Sequence, residues 1–283
     1  MDVGGQSAVA PLRRALVRPP RVEDLRTWRE YGWTAEPDPP AVVREHETFR
    51  EGLASAGTEV VLGETPVAGD PDAVYACDPV LMTDRGALIL RPGKKGRRGE
   101  SEALRADLEA AGVPIAGVMG APATAEGGDL LWLDPGTLAV GRSYRTNDDG
   151  VEWLRKQLPE VQVLAFDLPH VRGPGGLLHL LSLISLLDED LAVVYLPLLP
   201  ARLVELLTDR GVRLVEVPDG EFETHAPNVL ALGPRRAVML EGNPETRRRL
   251  EAAGVEVRTY PADELAGKGL GGPTCLTVPI LRG

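Results

Sequence analysis

Cysteine is almost absent: Cys77 and Cys275 are the only two in 283 residues. Two cannot build a disulfide framework, so a reducing, cytoplasmic setting is expected. Aromatic residues are scarce at 4%, and 31 basic residues face 42 acids, for a net charge of −11. That balance offers no basic stripe to follow a phosphate backbone, and no nucleic-acid partner is expected. No apolar run approaches the ~18–20 residues of a membrane span, and residues 1–12 lack the basic and apolar regions of a secretory leader. No membrane partner is therefore expected. Also missing is a glycine-rich turn after the first apolar strand. Arg18-Pro19-Pro20 stands where a doubly wound dinucleotide-binding sheet would need its glycines.

What is present is a pattern written five times. A helix-like stretch runs into a short turn and an apolar strand at Ala56-Gly57-Thr58-Glu59-Val60, Ala111-Gly112-Val113-Pro114-Ile115, Pro159-Glu160-Val161-Gln162-Val163, Arg210-Gly211-Val212-Arg213-Leu214 and Ala253-Gly254-Val255-Glu256-Val257. A loop follows each, then a second apolar run beginning near Val80, Leu130, Leu180, Val229 and Leu276. Each unit opens with its own strand, as at Ala15–Val17, Ala87–Leu90 and Leu191–Tyr195. The apolar residues of the intervening segments recur at helical spacing, as in Leu203, Leu206 and Leu207. These strands are apolar on both faces, which suits covered sheets. The units, about 15–83, 87–133, 137–184, 191–232 and 237–281, make one α/β domain over 13–283. It is expected as five small sheets around a pseudo-fivefold axis, preceded by an unstructured tail over 1–12.

Ahead of the second apolar runs stand Asp78, Glu126 with Asp129, His179, Asn228 and Cys275. From Asp78 through Glu126, His179 and Asn228 to Cys275, the intervals are 48, 53, 49 and 47 positions. Equivalent positions of a repeated fold converge, so a carboxylate, an imidazole and a thiol are expected at one centre, the outline of a nucleophilic site. Cys275 follows Gly271-Gly272-Pro273-Thr274, whose glycines allow close approach to the sulfur. Glu126-Gly127-Gly128-Asp129 suits neither helix nor strand, and its acids would repel a phosphate. Asn228 is expected to be structural, as are His46 and His225, with His170 a weaker alternative to His179. Two cysteines and scattered histidines show no metal-ligand spacing along the chain. Residues 21–40, with Trp28, Tyr31 and Trp33, form an insertion in the first unit; Trp28 and Trp33 are candidates for a lid over the pocket.

Taken together, Asp78, Glu126-Gly127-Gly128-Asp129, Arg145-Thr146-Asn147, His179 and Gly272-Pro273-Thr274-Cys275-Leu276 resemble the guanidino-group-modifying (amidinotransferase and arginine deiminase) superfamily. Within it the chain is most similar to the dimethylarginine dimethylaminohydrolases, including the run Arg91-Pro92-Gly93 and Arg97-Arg98-Gly99-Glu100. The resemblance implies a five-bladed α/β propeller, the pentein fold, and a hydrolase that needs no cofactor. By the same resemblance Cys275 attacks the guanidinium carbon, Asp78 and Glu126 hold its nitrogens, and His179 serves the leaving amine and then water. Arg97 and Arg145 match positions that grip a substrate carboxylate, while Asp129 either contacts substrate or fixes the Gly-Gly turn. Two departures bear on specificity. Leu181 occupies the position, two after the histidine, where arginine deiminases carry a carboxylate. Cys77 replaces an acid common before the aspartate.

The resulting expectation is release of an amine from an N-methylated arginine to give citrulline, by a cytoplasmic enzyme expected to pair as a homodimer. Arginine deimination or amidino transfer is the alternative within the same chemistry. A non-catalytic five-bladed binding protein is the alternative of another kind, disfavoured by the joint presence of Cys275, His179, Asp78 and Glu126.

Overall fold

The computed structural model describes residues 3–171, 173 and 178–283. Its strands are β1 (Leu12–Val17), β2 (Glu59–Leu62), β3 (Val80–Thr83), β4 (Gly86–Ile89), β5 (Ile115–Val118), β6 (Leu130–Asp134), β7 (Thr137–Arg142) and β8 (Gln162–Asp167). They continue as β9 (Ile184–Asp188), β10 (Leu191–Val194), β11 (Arg213–Glu216), β12 (Leu230–Gly233), β13 (Arg236–Leu240), β14 (Glu256–Tyr260) and β15 (Val278–Arg282). The principal helices are α1 (Pro39–Ser55), α2 (Gly99–Ala110), α3 (Asp148–Gln157), α4 (Ala201–Asp209) and α5 (Pro244–Ala252).

Among the described residues these strands form five separate three-stranded sheets, so the molecule is α/β with five small sheets. In each, a first strand pairs antiparallel with a middle strand, which pairs parallel with a third, as in β3-β4-β5 and β6-β7-β8. The middle and third strands are joined through one of the five helices, the usual way to connect parallel neighbours. Sheet and sequence unit are offset by one strand. The last strand of each unit leaves its own helix and pairs with the opening strand of the next, and β15 returns to pair with β1. A repeat found along the chain does not reveal that exchange, because pairing partners are set in space.

The helices end where the repeated Ala-Gly or Arg-Gly sits. Gly57, Gly112, Gly211 and Gly254 have φ of 93°, 77°, 75° and 87°, the left-handed conformation that closes a helix and that glycine adopts without a side-chain clash. The middle strands are buried on both faces, as their unbroken apolar sequences require; β4 and β10 have no exposed residue. Helix residues such as Leu104 and Leu108 pack against Val80 and Ile89 in one of five apolar clusters. Burying each such side chain fully contributes about 1.5–3 kcal/mol.

All five first strands reach a common cavity. Val80, Leu130, Ser185, Leu230 and Val278 come from β3, β6, β9, β12 and β15 or their immediate starts, and Gly5, Ser7 and Ala8 border the same space. Residues 3–11, expected as a free tail, lie across it. Gly4 bridges to Leu281, and the Gln6 side chain donates to the Pro135 carbonyl at 2.8 Å. No helix among the described residues is long and apolar enough to cross a membrane.

Candidate active site

The loops leading into the first strands carry the polar residues singled out by the repeat. Asp78, His179, Asn228 and Cys275 border one cavity of about 240 Å³, together with Arg97, Arg145, Lys94, Asp72, Tyr75 and Tyr31. Glu126 lies behind them, wholly buried.

His179 is held between two carboxylates. Its Nε2 meets Glu126 Oε2 at 2.8 Å, and its Nδ1 lies 4.0 Å from Asp78 Oδ1. Burial pulls the imidazole down, but Asp78, Asp129 and Glu126 more than offset it and hold His179 up at about 9. It is therefore an imidazolium at neutral pH. Despite its burial, Glu126 is held well below the usual carboxylate range by His179 and Arg145. Arg145 Nη1 approaches its two oxygens at 3.3 and 3.2 Å.

The Gly-Gly pair has a steric cause. A side chain on Gly127 would overlap the Cys77 carbonyl, and one on Gly128 would sit 2.5 Å from His179 Nδ1. Without those Cβ atoms the loop packs under the imidazole, and the Gly128 N–H donates to Asp78 Oδ1 at 3.0 Å. Asp129 is fully engaged inside the fold. It accepts from Ser143 Oγ at 2.8 Å, Thr146 Oγ1 at 2.7 Å and the Leu180 N–H at 3.1 Å. It does not border the cavity, and its contacts tie Ser143 and Thr146 to the His179 loop.

Cys275 caps a turn in which its N–H donates to the Gly272 carbonyl at 3.1 Å. Its own carbonyl accepts from the Cys77 N–H at 3.0 Å, so the two cysteines are backbone neighbours; both are free thiols. They face different spaces: Cys275 borders the cavity shared with Asp78 and His179, and Cys77 the one reached by all five first strands. Burial, and secondarily the charge of Asp78, hold the Cys275 thiol up at about 11. In the free protein the sulfur is protonated at neutral pH.

Arg97 occupies a different setting from Arg145. Its side chain is 4% exposed and is gripped by Glu100 through Nε at 2.6 Å and Nη2 at 2.8 Å. Nη1 pairs with Asp78, and the carbonyls of Asp72 and Tyr75 accept from Nη2 at 3.3 Å. Its hydrogen bonds are thus made within the protein, where it holds Asp78 in place. Arg145, with its side chain 13% exposed, keeps a face toward the cavity.

The insertion over 21–40 reaches the cavity through Tyr31 and Gly32, not through either tryptophan. Trp33 is 4% exposed, packs near Tyr75, and donates from its indole to Asp72 at 2.8 Å. Trp28 is half-buried beneath the Arg29 guanidinium. Lys94 links this insertion to the site: Nζ donates to the Tyr31 carbonyl and pairs with Asp72, both at 2.6 Å. Leu181 does not border the cavity of Cys275 and His179; it packs on an apolar cluster and borders the cavity reached by the five first strands. His225, expected away from the site, stands on the cavity wall. His46 lies on the buried face of α1 and burial pushes it down to about 4, and His170 meets Tyr144 at 2.6 Å on the surface.

Ligand spacing absent along the chain is present in space. Asp78, Glu126 and His179 offer donor atoms all within 4.8 Å of one another. Those atoms are engaged with each other and with the two arginines, a setting in which a further dication would meet Arg97 and Arg145.

The family model described as N,N dimethylarginine dimethylhydrolase, eukaryotic, matches residues 35–282. An N(G),N(G)-dimethylarginine dimethylaminohydrolase of Pseudomonas aeruginosa is 28% identical over 245 residues, covering 86% of this chain and 90% of its own. An arginine deiminase of Mycobacterium avium is 30% identical over 279 residues, covering 83% of this chain and 68% of its own. The structure of a Cys-to-Ser mutant of the Pseudomonas aeruginosa enzyme complexed with citrulline superimposes with a TM-score of 0.79 at 24% identity, covering 96% of this chain and 100% of that one, and so has the same fold. With the matched model spanning most of its length, the chain belongs to the dimethylarginine dimethylaminohydrolase family of the arginine deiminase superfamily.

Proposed function

We propose that the protein is a cysteine-dependent hydrolase acting on the guanidino group of an N-methylated arginine, with the five sheets as blades of a pentein propeller. The observation carrying this reading is that Cys275, His179 and Asp78 border one cavity while Glu126 backs the imidazole.

The chemistry follows from the charges. Asp78 and Glu126 make the site attractive to a planar cation, and a guanidinium beside Asp78 offsets the charge that holds the thiol up. With the guanidinium bound, Cys275 loses its proton to solvent water, because His179 is already protonated, and the thiolate then attacks the guanidinium carbon. As the carbon–nitrogen bond breaks, the imidazolium of His179 gives its proton to the departing methylamine or dimethylamine. The now neutral His179 takes a proton from water, which attacks the thiouronium carbon; the carbon–sulfur bond breaks and releases citrulline. In this reading Arg145, which keeps a face toward the cavity, meets the substrate carboxylate, and Arg97 acts through Asp78. Arginine deimination is the second reading, favoured by arginine deiminase relatives of about 30% identity. It needs only ammonia in place of the methylated amine.

Acid quenching during turnover of asymmetric dimethylarginine, followed by intact-mass measurement, tests the covalent step. An adduct of the amidino-bearing fragment on Cys275, absent from Cys275→Ser, is expected. Rapid turnover by Cys275→Ser would end the proposal.

A further inference from the structure

The Asn228 side chain touches the sulfur, and its orientation is fixed. Oδ1 accepts from the Thr274 N–H at 3.0 Å and from Thr274 Oγ1 at 2.7 Å. A backbone N–H can only donate, so the carbonyl end of the amide must face Thr274 and the NH₂ end must face the other way. That end has two hydrogens and two partners: the Leu181 carbonyl at 3.5 Å and Cys275 Sγ at 3.5 Å. The amide is 4% exposed and packs against Gly272, where any Cβ would lie 2.5 Å from Oδ1. It cannot rotate away without breaking four contacts.

From this geometry we infer that Asn228 is a thiolate-stabilising catalytic residue, its carboxamide donating a hydrogen bond that favours the ionised form of Cys275. The inference rests on the reading of Cys275 as nucleophile. An N–H directed at a neutral thiol is a weak contact, whereas the same N–H directed at a thiolate is charge-assisted and stronger. The difference between the two favours ionisation. Asp78 opposes it from the same cavity, and the Asn228 and Thr274 contacts work against that charge and against burial. The groups facing the sulfur are thus divided: Asp78 holds the proton on, while the Asn228 amide draws it off. The amide also joins three loops, since Leu181 follows His179 by two residues and Thr274 precedes Cys275. It therefore couples the position of the acid to that of the nucleophile.

The test is the pH dependence of Cys275 alkylation by iodoacetamide in the full chain carrying Cys77→Ala, with Asn228→Ala and Asn228→Asp compared. Losing one charge-assisted donor is expected to raise the apparent thiol pKa by about one unit, a roughly tenfold loss of thiolate at fixed pH. Asn228→Asp is nearly isosteric, keeps an acceptor for Thr274 and places an anion beside the sulfur, so it should raise the pKa further. A purely structural amide would lower the melting temperature and leave the alkylation pKa in place; an unmoved pKa in folded Asn228→Asp overturns the inference. Because alkylation needs no substrate, the two failures separate. A shifted pKa without citrulline formation by the parent protein would sink the proposed reaction while leaving the role of Asn228 standing.

Discussion

In the proposed reaction the order of the Cys275 and His179 pKa values makes a quantitative demand on the pH–rate profile. With the thiol near 11 and the imidazole near 9, the free protein at neutral pH holds a neutral thiol beside an imidazolium. The reactive pair needs the thiolate and the imidazolium together, so it is a minority form at every pH. At pH 7 only about one molecule in 10⁴ carries the thiolate, and at the best pH, near 10, about 1% holds both charges. Since kcat/KM reports ionisations of the free enzyme, it should climb about tenfold from pH 7 to 8 and about fivefold from 8 to 9, about 10²-fold in all by pH 10, and fall above 10. Once a guanidinium occupies the cavity it offsets Asp78, so the acid limb of kcat should lie at lower pH than that of kcat/KM. Citrulline formation from asymmetric dimethylarginine, measured from pH 6 to 11 with stability controls at each pH, checks both limbs. A kcat/KM flat between pH 7 and 9, or highest near 7, would show that the thiolate is already formed in the free protein and refute the assignment.

The two arginines should separate cleanly in mutants. Arg97→Ala leaves Asp78 and Glu100 buried without their partner, so it should destabilise by about 3–5 kcal/mol, seen as a lower denaturant midpoint. Retained stability with only a raised KM would instead assign Arg97 to the substrate. Arg145→Gln should raise KM for arginine-type substrates more than tenfold, yet leave a simple N-methylguanidine lacking the carboxylate little affected. A similar loss on both would place Arg145 with Glu126 alone. Gly128→Ala puts a Cβ against His179 and should cost about 10²-fold in kcat through misplacement of the ring, which steady-state kinetics will show.

That the polar residues ahead of the first strands gather around one cavity was legible in the sequence, because the repeat places them. Asp78, Glu126, His179, Asn228 and Cys275 all precede a first strand, and spacing alone brought them to one region. The glycines of the helix ends and of Gly127-Gly128 were legible as backbone requirements, although the partners they make room for were not. What escaped depends on distances between units. Nothing along the chain shows that Arg97 turns to Asp78 of the preceding unit, or that Asn228 would have its amide oriented by Thr274 and turned to the sulfur. Trp33 resembled a lid residue because it sits in an irregular insertion, but an indole that finds Asp72 as acceptor can be buried, and the cavity is reached by Tyr31 instead. Leu181 follows His179 closely in sequence, yet the short helical turn over Leu180–Ser182 carries it to the cavity reached by the five first strands. The offset between unit and sheet was hidden for the same reason.

The most direct test of the account is citrulline release from free arginine, monomethylarginine and asymmetric dimethylarginine, each assayed with the parent protein and with Cys275→Ser. The account predicts turnover of the methylated substrates in preference to arginine, with stoichiometric methylamine or dimethylamine, and its loss in the mutant. Citrulline only from arginine would move the protein to deimination, and citrulline from none of the three by a folded parent protein would contradict the proposed reaction.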